Sequence, residues 1–253
     1  MLRTRIIPCL LLRDDGLVKT VRFSAPSYIG DPVNTVRIFN ELEVDELTFL
    51  DIEASRMGRG PNVQILRDIA NECFMPLAYG GGIRTVQDAE RIFQIGFEKV
   101  VVNSALFDTP TLVSDMAQKF GSQAVIVAID AKRQALRGYQ VASRSATVLH
   151  RRDPVEWARE VERLGAGEIL LTSVDREGTW KGFDVDLTAR VSAAVGIPVI
   201  ANGGAGSLQD IGEVVKRGGA SAVGLGSMVV YQSRGMGVLV NFPDRARLAR
   251  EIS

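Results

Sequence analysis

The chain has 253 residues, 46% apolar and 24% charged, with 30 Lys and Arg against 30 Asp and Glu. A formal net charge of +0 gives no footprint for nucleic acid, and no apolar run is long enough to suggest a membrane span. Cys9 and Cys73 sit in apolar contexts that fit buried thiols in a reducing cytosol, and the single His150 makes no recognised metal-ligand spacing with them, so a cytoplasmic protein without metal or cofactor is expected.

The start, MLRTRIIPCLLL, superficially resembles a signal peptide. Its apolar stretch is short, contains Pro8 and runs into RDDG, so it reads as a first strand. Seven more short apolar runs follow, giving strands at 5–12, 46–52, 77–80, 99–103, 124–130, 168–174, 198–202 and 222–226. Their near-continuous apolarity suits strands buried on both faces of a parallel sheet. Helical patterns lie between them, near 32–43, 61–73, 86–95, 110–120, 154–164, 185–195, 208–217 and 243–250. Eight strand–helix pairs in this length predict an α/β fold, a single (β/α)8 TIM barrel over 1–253. An open doubly wound sheet is the rival. Longer connections fall at 13–30 and 131–151, and the second alternates enough to form a small hairpin.

The chain carries one device twice. YGGGIRTVQDAERIFQIGFEKVVVNSAL (79–106) and ANGGAGSLQDIGEVVKRGGASAVGLGSMV (201–229) align Gly81, Gly82, Gln87, Asp88 and Gly96 with Gly203, Gly204, Gln209, Asp210 and Gly218 at one offset. Glu46 and Glu168 share it. Two half-barrels, approximately 1–122 and 123–253, account for the repeat, which an open sheet does not.

In such barrels the strand C-termini build the site. Asp130 ends a wholly apolar strand there, placed to act as general acid or base, or else to pair with Lys132 or Arg133. Asp51 has the same location and could equally cap its turn with Ser55. Gly82, Gly203 and Gly204 begin tight turns, and Asn103, Ser104, Gly226 and Ser227 follow on neighbouring strands. Backbone N–H groups in that setting can hold a phosphate, although each turn taken singly is equally a tight connection. Gly178 and Thr179 in DREGT add donors. At the opposite end, Arg5, Glu46, Lys99 and Glu168 each begin an apolar strand. They predict a neutral ring of charge pairs, which is a structural plug unless something must pass.

RIIPCL, GDPV, DEL.FLDI, GGGI, FGSQAV.VAIDAKR, GAGEILLTS.DR.GT and GGAG occur in order over nearly the whole chain. With them the sequence resembles the HisF family, the cyclase subunit of imidazole glycerol phosphate synthase. The resemblance implies a twofold-repeated barrel that takes ammonia from a HisH-like glutaminase docked at the strand N-terminal face. Arg5, Glu46, Lys99 and Glu168 match the four charges that ammonia passes. The family's ligand carries two phosphates, and Gly82, Asn103, Ser104, Gly178, Gly204, Gly226 and Ser227 match its loops. Lys19 matches the lysine of a mobile first loop. The family reaction uses two aspartates. Asp130 matches the second, but Leu11 stands where the first is expected, with Asp14 and Asp15 several residues on. Leucine transfers no proton. Three functions are therefore weighed. The first is an ammonia-conducting subunit serving a separate sugar amidotransferase in acetamidino-sugar biosynthesis for a surface polysaccharide, the setting of a branch this sequence resembles. The second is the histidine-pathway cyclase. The third is an inert barrel that activates or scaffolds a glutaminase.

Overall fold

The computed structural model describes residues 4–252. The eight apolar runs form eight parallel strands: β1 (Arg5–Arg13), β2 (Leu47–Asp51), β3 (Leu77–Gly80), β4 (Lys99–Val102), β5 (Val125–Gln134), β6 (Glu168–Ser173), β7 (Val199–Asn202) and β8 (Ala222–Leu225). Each pairs with the next, and β8 returns to β1, with Arg5 beside Ala222. The sheet is closed, so the barrel prevails over the open sheet. Helices α1 (Pro32–Glu41), α2 (Val63–Glu72), α3 (Val86–Ile95), α4 (Leu112–Phe120), α5 (Pro154–Arg163), α6 (Val185–Ser192), α7 (Leu208–Lys216) and α8 (Arg245–Ile252) follow the strands, within a few residues of the sequence expectation.

Strand alternation divides the apolar side chains between two cores. Ile6, Leu10 and Leu12 of β1 point outward and pack with Phe39, Ile92, Trp157 and the other inner helix faces. Ile7 and Cys9 point inward and join Ala78, Val101, Ile126, Leu170, Ile200 and Ala222 in a column along the barrel axis. Cys9 is buried as expected, while Cys73 is only half-buried.

The repeat has a local cause in helix capping. Thr85 and Asp88 form a reciprocal capping box on α3, and Ser207 and Asp210 hold the start of α7 at the same offset. The sequence also repeats an Asp-Pro pair at this offset: Asp31 and Asp153 cap α1 and α5, with Pro32 and Pro154 in the first turn. The glycine turns are shaped by packing. Gly204 has φ +113°, and a Cβ there would lie 2.2 Å from the Gly182 carbonyl oxygen.

Both long connections are β-structure. Segment 13–30, expected as a loop, is instead a continuation of the sheet. β1 runs past the barrel rim and turns at Asp14-Asp15 into strand Gly16–Val21, which pairs with Ser24–Gly30. Leu17, Val18, Lys19 and Thr20 are all buried in that pairing, so both faces of the strand are covered. The second hairpin, Gly138–Ser143 and Val148–His150, extends β5 as its alternation predicts. His150 pins it by stacking on Phe107 at 3.5 Å and bonding Ser143 Oγ at 2.8 Å.

Gly204→Ala should lower stability by roughly 2–4 kcal/mol in urea unfolding, because strain and overlap combine. Gly58 also has positive φ, but a Cβ there meets nothing within 4 Å. Gly58→Ala should therefore cost only about 1 kcal/mol.

Candidate functional site

The C-termini of the eight strands open into one cavity. Its lining brings together Leu11, Lys19, Asp51, Gly82, Asn103, Ser104, Asp130, Gly178, Gly203, Gly204, Gly226 and Ser227, with Thr20 and Glu177. Thr179 is outside this set. It lines a neighbouring groove with Trp180 and Lys181, and its hydroxyl donates to the Arg176 carbonyl at 2.6 Å.

Asp130 is the acid of the mouth. Asn103 Nδ2 donates to its Oδ2 at 2.9 Å, and the Thr172 hydroxyl is its other partner, so the pairing with Lys132 or Arg133 gives way to neutral donors. Burial pushes its carboxyl up to about 7, against the lowering by the Thr172 and Asn103 hydrogen bonds, and the negative charge of Glu177 adds to the rise. Near neutral pH both protonation states are populated, as general acid–base work requires. Asn103 also donates to the Ala142 carbonyl, while its own Oδ1 is buried without a protein partner.

Asp51 is held by its own loop. Its Oδ1 accepts from the Glu53 and Ala54 amides at 3.0 and 2.9 Å, and Arg59 closes on Oδ2 at 2.8 Å. The capping alternative thus holds in substance, although the capped groups are Glu53 and Ala54. Ser55 Oγ instead accepts from the Gly82 amide at 3.4 Å. Ser104 Oγ accepts from the Arg144 amide at 3.0 Å, which leaves its hydroxyl proton directed elsewhere.

Leu11 lines the mouth, and its neighbours across the sheet are Val18 and Leu50. Asp14 and Asp15 do not replace it. They form the exposed tip of the β1 turn, outside the cavity lining, and Asp15 accepts from Asn62 Nδ2. Lys19 lies in a strand, 7% exposed and ion-paired with Glu177, where sequence comparison suggested a mobile loop. Sequence reasoning missed Glu177, because DREGT drew attention to its Gly and Thr. It also missed Arg59, whose pairing with Asp51 depends on how the intervening turn folds.

At the other end, the four predicted charges close a ring. Arg5 donates through NH1 to Glu46 at 2.7 Å and through NH2 to Glu168 at 2.8 Å. Lys99 Nζ reaches Glu46 at 3.1 Å and Glu168 at 2.9 Å. The two carboxylates hold the Arg5 guanidinium above its ordinary value, although burial alone would lower it.

Fold and site together define a (β/α)8 protein with a repeated capping pattern in its two halves, a buried carboxyl of raised pKa at the mouth and a closed charge ring beneath. The family model described as "Histidine biosynthesis protein" matches residues 5–234. A Pseudomonas aeruginosa protein named "Putative imidazole glycerol phosphate synthase subunit hisF2" is 48% identical over 248 residues, covering 98% of this chain and 99% of the relative. The "Imidazole glycerol phosphate synthase subunit HisF" of Alkaliphilus metalliredigens is 46% identical over 231 residues, 91% of this chain and 92% of its own length. The chain belongs to the HisF family.

The raised carboxyl of Asp130 makes a stability prediction. Its folded value of about 7 lies above its ordinary 3.8, so the fold disfavours the ionised form. This cost is absent below about pH 4, grows as the unfolded chain ionises first, and is constant above pH 7 or so. Asp130→Asn should therefore raise stability at pH 8 by on the order of 1–3 kcal/mol. The gain should vanish at pH 4, as read by urea unfolding at both values.

Proposed function

We propose that this barrel is the ammonia-conducting subunit of a glutamine amidotransferase. A HisH-like glutaminase docks at the strand N-terminal face, and the ammonia leaves through the mouth for a separate sugar amidotransferase. Acetamidino-sugar formation for a surface polysaccharide is the setting this reading favours. One combination of features in a single chain carries it: the charge ring is complete, while Leu11 occupies the place of an acid that a cyclase would use.

The ring suits a gate. Arg5 presents two nitrogens of one planar fork to Glu46 and Glu168, so it can hold both carboxylates by itself. Lys99 bridges the same two carboxylates from the other side on a flexible stem. Swinging it away leaves neither carboxylate unpaired. Above the ring, the column from Ile7 and Ala78 to Ala222 is apolar. Neutral ammonia can partition into such a lining, whereas ammonium would lose its hydration without replacement. At the mouth, Asn103, Ser104, Gly82, Gly204 and Ser227 offer polar groups to a small phosphorylated ligand.

The histidine-pathway cyclase is the second reading. Asp130, poised near neutrality, favours it, as do the names borne by the relatives. With Asp14 outside the cavity, that reaction would have to proceed with one positioned aspartate.

Two experiments separate these outcomes. In a complex with its glutaminase, Lys99→Met should preserve glutamine hydrolysis while the fraction of ammonia delivered falls several-fold. Intact delivery would remove the gate. With free ammonia and the two-phosphate cyclase substrate, wild-type turnover should lie about 100–10,000-fold below that of a two-aspartate barrel. Leu11→Asp should raise turnover measurably from that base. Efficient wild-type turnover would establish the cyclase instead.

A further inference from the structure

The chain is neutral as a whole, but its charge is unevenly placed. Residues 131–152 cover the end of β5 and the hairpin that extends it. They carry Lys132, Arg133, Arg137, Arg144, Arg151 and Arg152 and no Asp or Glu, so the remainder of the chain is net acidic. Of these six, only Arg152 is ion-paired among the described residues, with Glu160 at 2.9 Å. Apolar side chains stand among the cations. Leu136, at the outer turn, is 98% exposed, and Val148 and Leu149 on the last strand are exposed as well.

This arm is braced at its inner end. The Arg133 amide donates to Asp175 at 2.7 Å, the Tyr139 hydroxyl donates to Asp184, and Ser145 Oγ donates to the Ile52 carbonyl at 2.6 Å. Ser145 also lines the cavity, so the arm rises from the rim of the mouth itself. Its outer turn is free of both the cavity and the neighbouring groove: Leu136 and Arg137 line neither. A small ligand seated in the mouth would not touch them. On the opposite side of the barrel, the groove between the first hairpin and the β8–α8 connection repeats the chemistry. Its lining includes Arg22, Lys181 and Arg234 with the half-exposed Val21 and Met236, and it contains no carboxylate.

We propose that the cationic arm at 131–152, together with the opposite rim, is the docking surface for the enzyme that accepts the ammonia, which meets it with a carboxylate-rich face. The proposal rests on the ammonia-delivery reading above. Ammonia released into water at neutral pH is protonated and lost, so the acceptor must cover the mouth. Covering unpaired cations without supplying counter-charges is costly, so the covering face must bring carboxylates. Leu136 adds an apolar anchor on an arm that is already ordered, which lowers the cost of association.

The test measures association of the barrel–glutaminase complex with a purified sugar amidotransferase, and the fraction of ammonia delivered to it. Wild-type association should weaken as salt is raised. Arg133→Glu/Arg137→Glu should weaken it at least about tenfold and lower delivery, while glutamine hydrolysis stays unchanged. Leu136→Asp, which leaves the cations in place, should do the same to a smaller degree. Both variants should match wild type when free ammonia is supplied in excess. Wild-type affinity and delivery in both variants would overturn the docking surface and leave the delivery reading standing. Association without any delivery by the wild type would instead sink the delivery reading. No association of the wild type overturns the docking surface. So does retention of the wild type, but not of Arg133→Glu/Arg137→Glu, on vesicles of phosphatidylglycerol and phosphatidylcholine, which would assign the arm to a lipid surface.

Discussion

One constraint organises this molecule: a closed sheet whose strands all run the same way. Closure through the β5–β6 pairing leaves the eight barrel strands no free edge and gives the barrel two chemically unlike ends. Every strand delivers its last residue to the mouth and its first to the base. A carboxylate at the end of an apolar strand, such as Asp130, must therefore stand where chains turn and backbone amides gather. Charged residues at strand starts, such as Arg5 and Lys99, must meet one another at the base. The same alternation that puts Ile6 against helices turns Ile7 into the axis, so one stretch of sequence builds two cores.

The halves show how such a scaffold diverges. The capping residues Asp88 and Asp210 and the glycines of both turns preserve a common backbone. Against that background the mouth differs by single side chains: Leu11 against Asp130, and Glu177 braced by Lys19. The hairpin that carries Lys19 is a continuous extension of β1. Its position is therefore tied to the barrel wall at one end and to the DREGT turn at the other.

The barrel, its strand limits and the charge ring were legible in the sequence because each depends on features close along the chain. Apolar runs mark strands, and a charge immediately before a run marks the base. The repeat supplied the internal symmetry. Asp130 was legible for the same reason. The contacts that sequence reasoning missed lie between segments distant in sequence. Nothing in GLVKTV announces that Lys19 will meet Glu177, and the long connection read as a loop because its turn, Asp14-Asp15, is only two residues. Asp51 illustrates the reverse: its position fitted a ligand site or a turn cap equally, and it lines the cavity while Arg59 and two amides of its own turn hold its carboxylate.

The ring at the base has a further property that follows from its pattern of signs. Arg5, Glu46, Lys99 and Glu168 alternate positive and negative around the axis, and their formal charges cancel. Such an arrangement is a quadrupole, whose potential fades with distance much faster than that of a single charge. An ion approaching from solvent meets neither a well nor a barrier until it is almost in contact. The ring can thus hold four tightly bonded charges at the base while adding almost no long-range field of its own, so the potential there is set by its neighbours, among them the carboxylates of Asp45 and Glu98 on the strand-start amides.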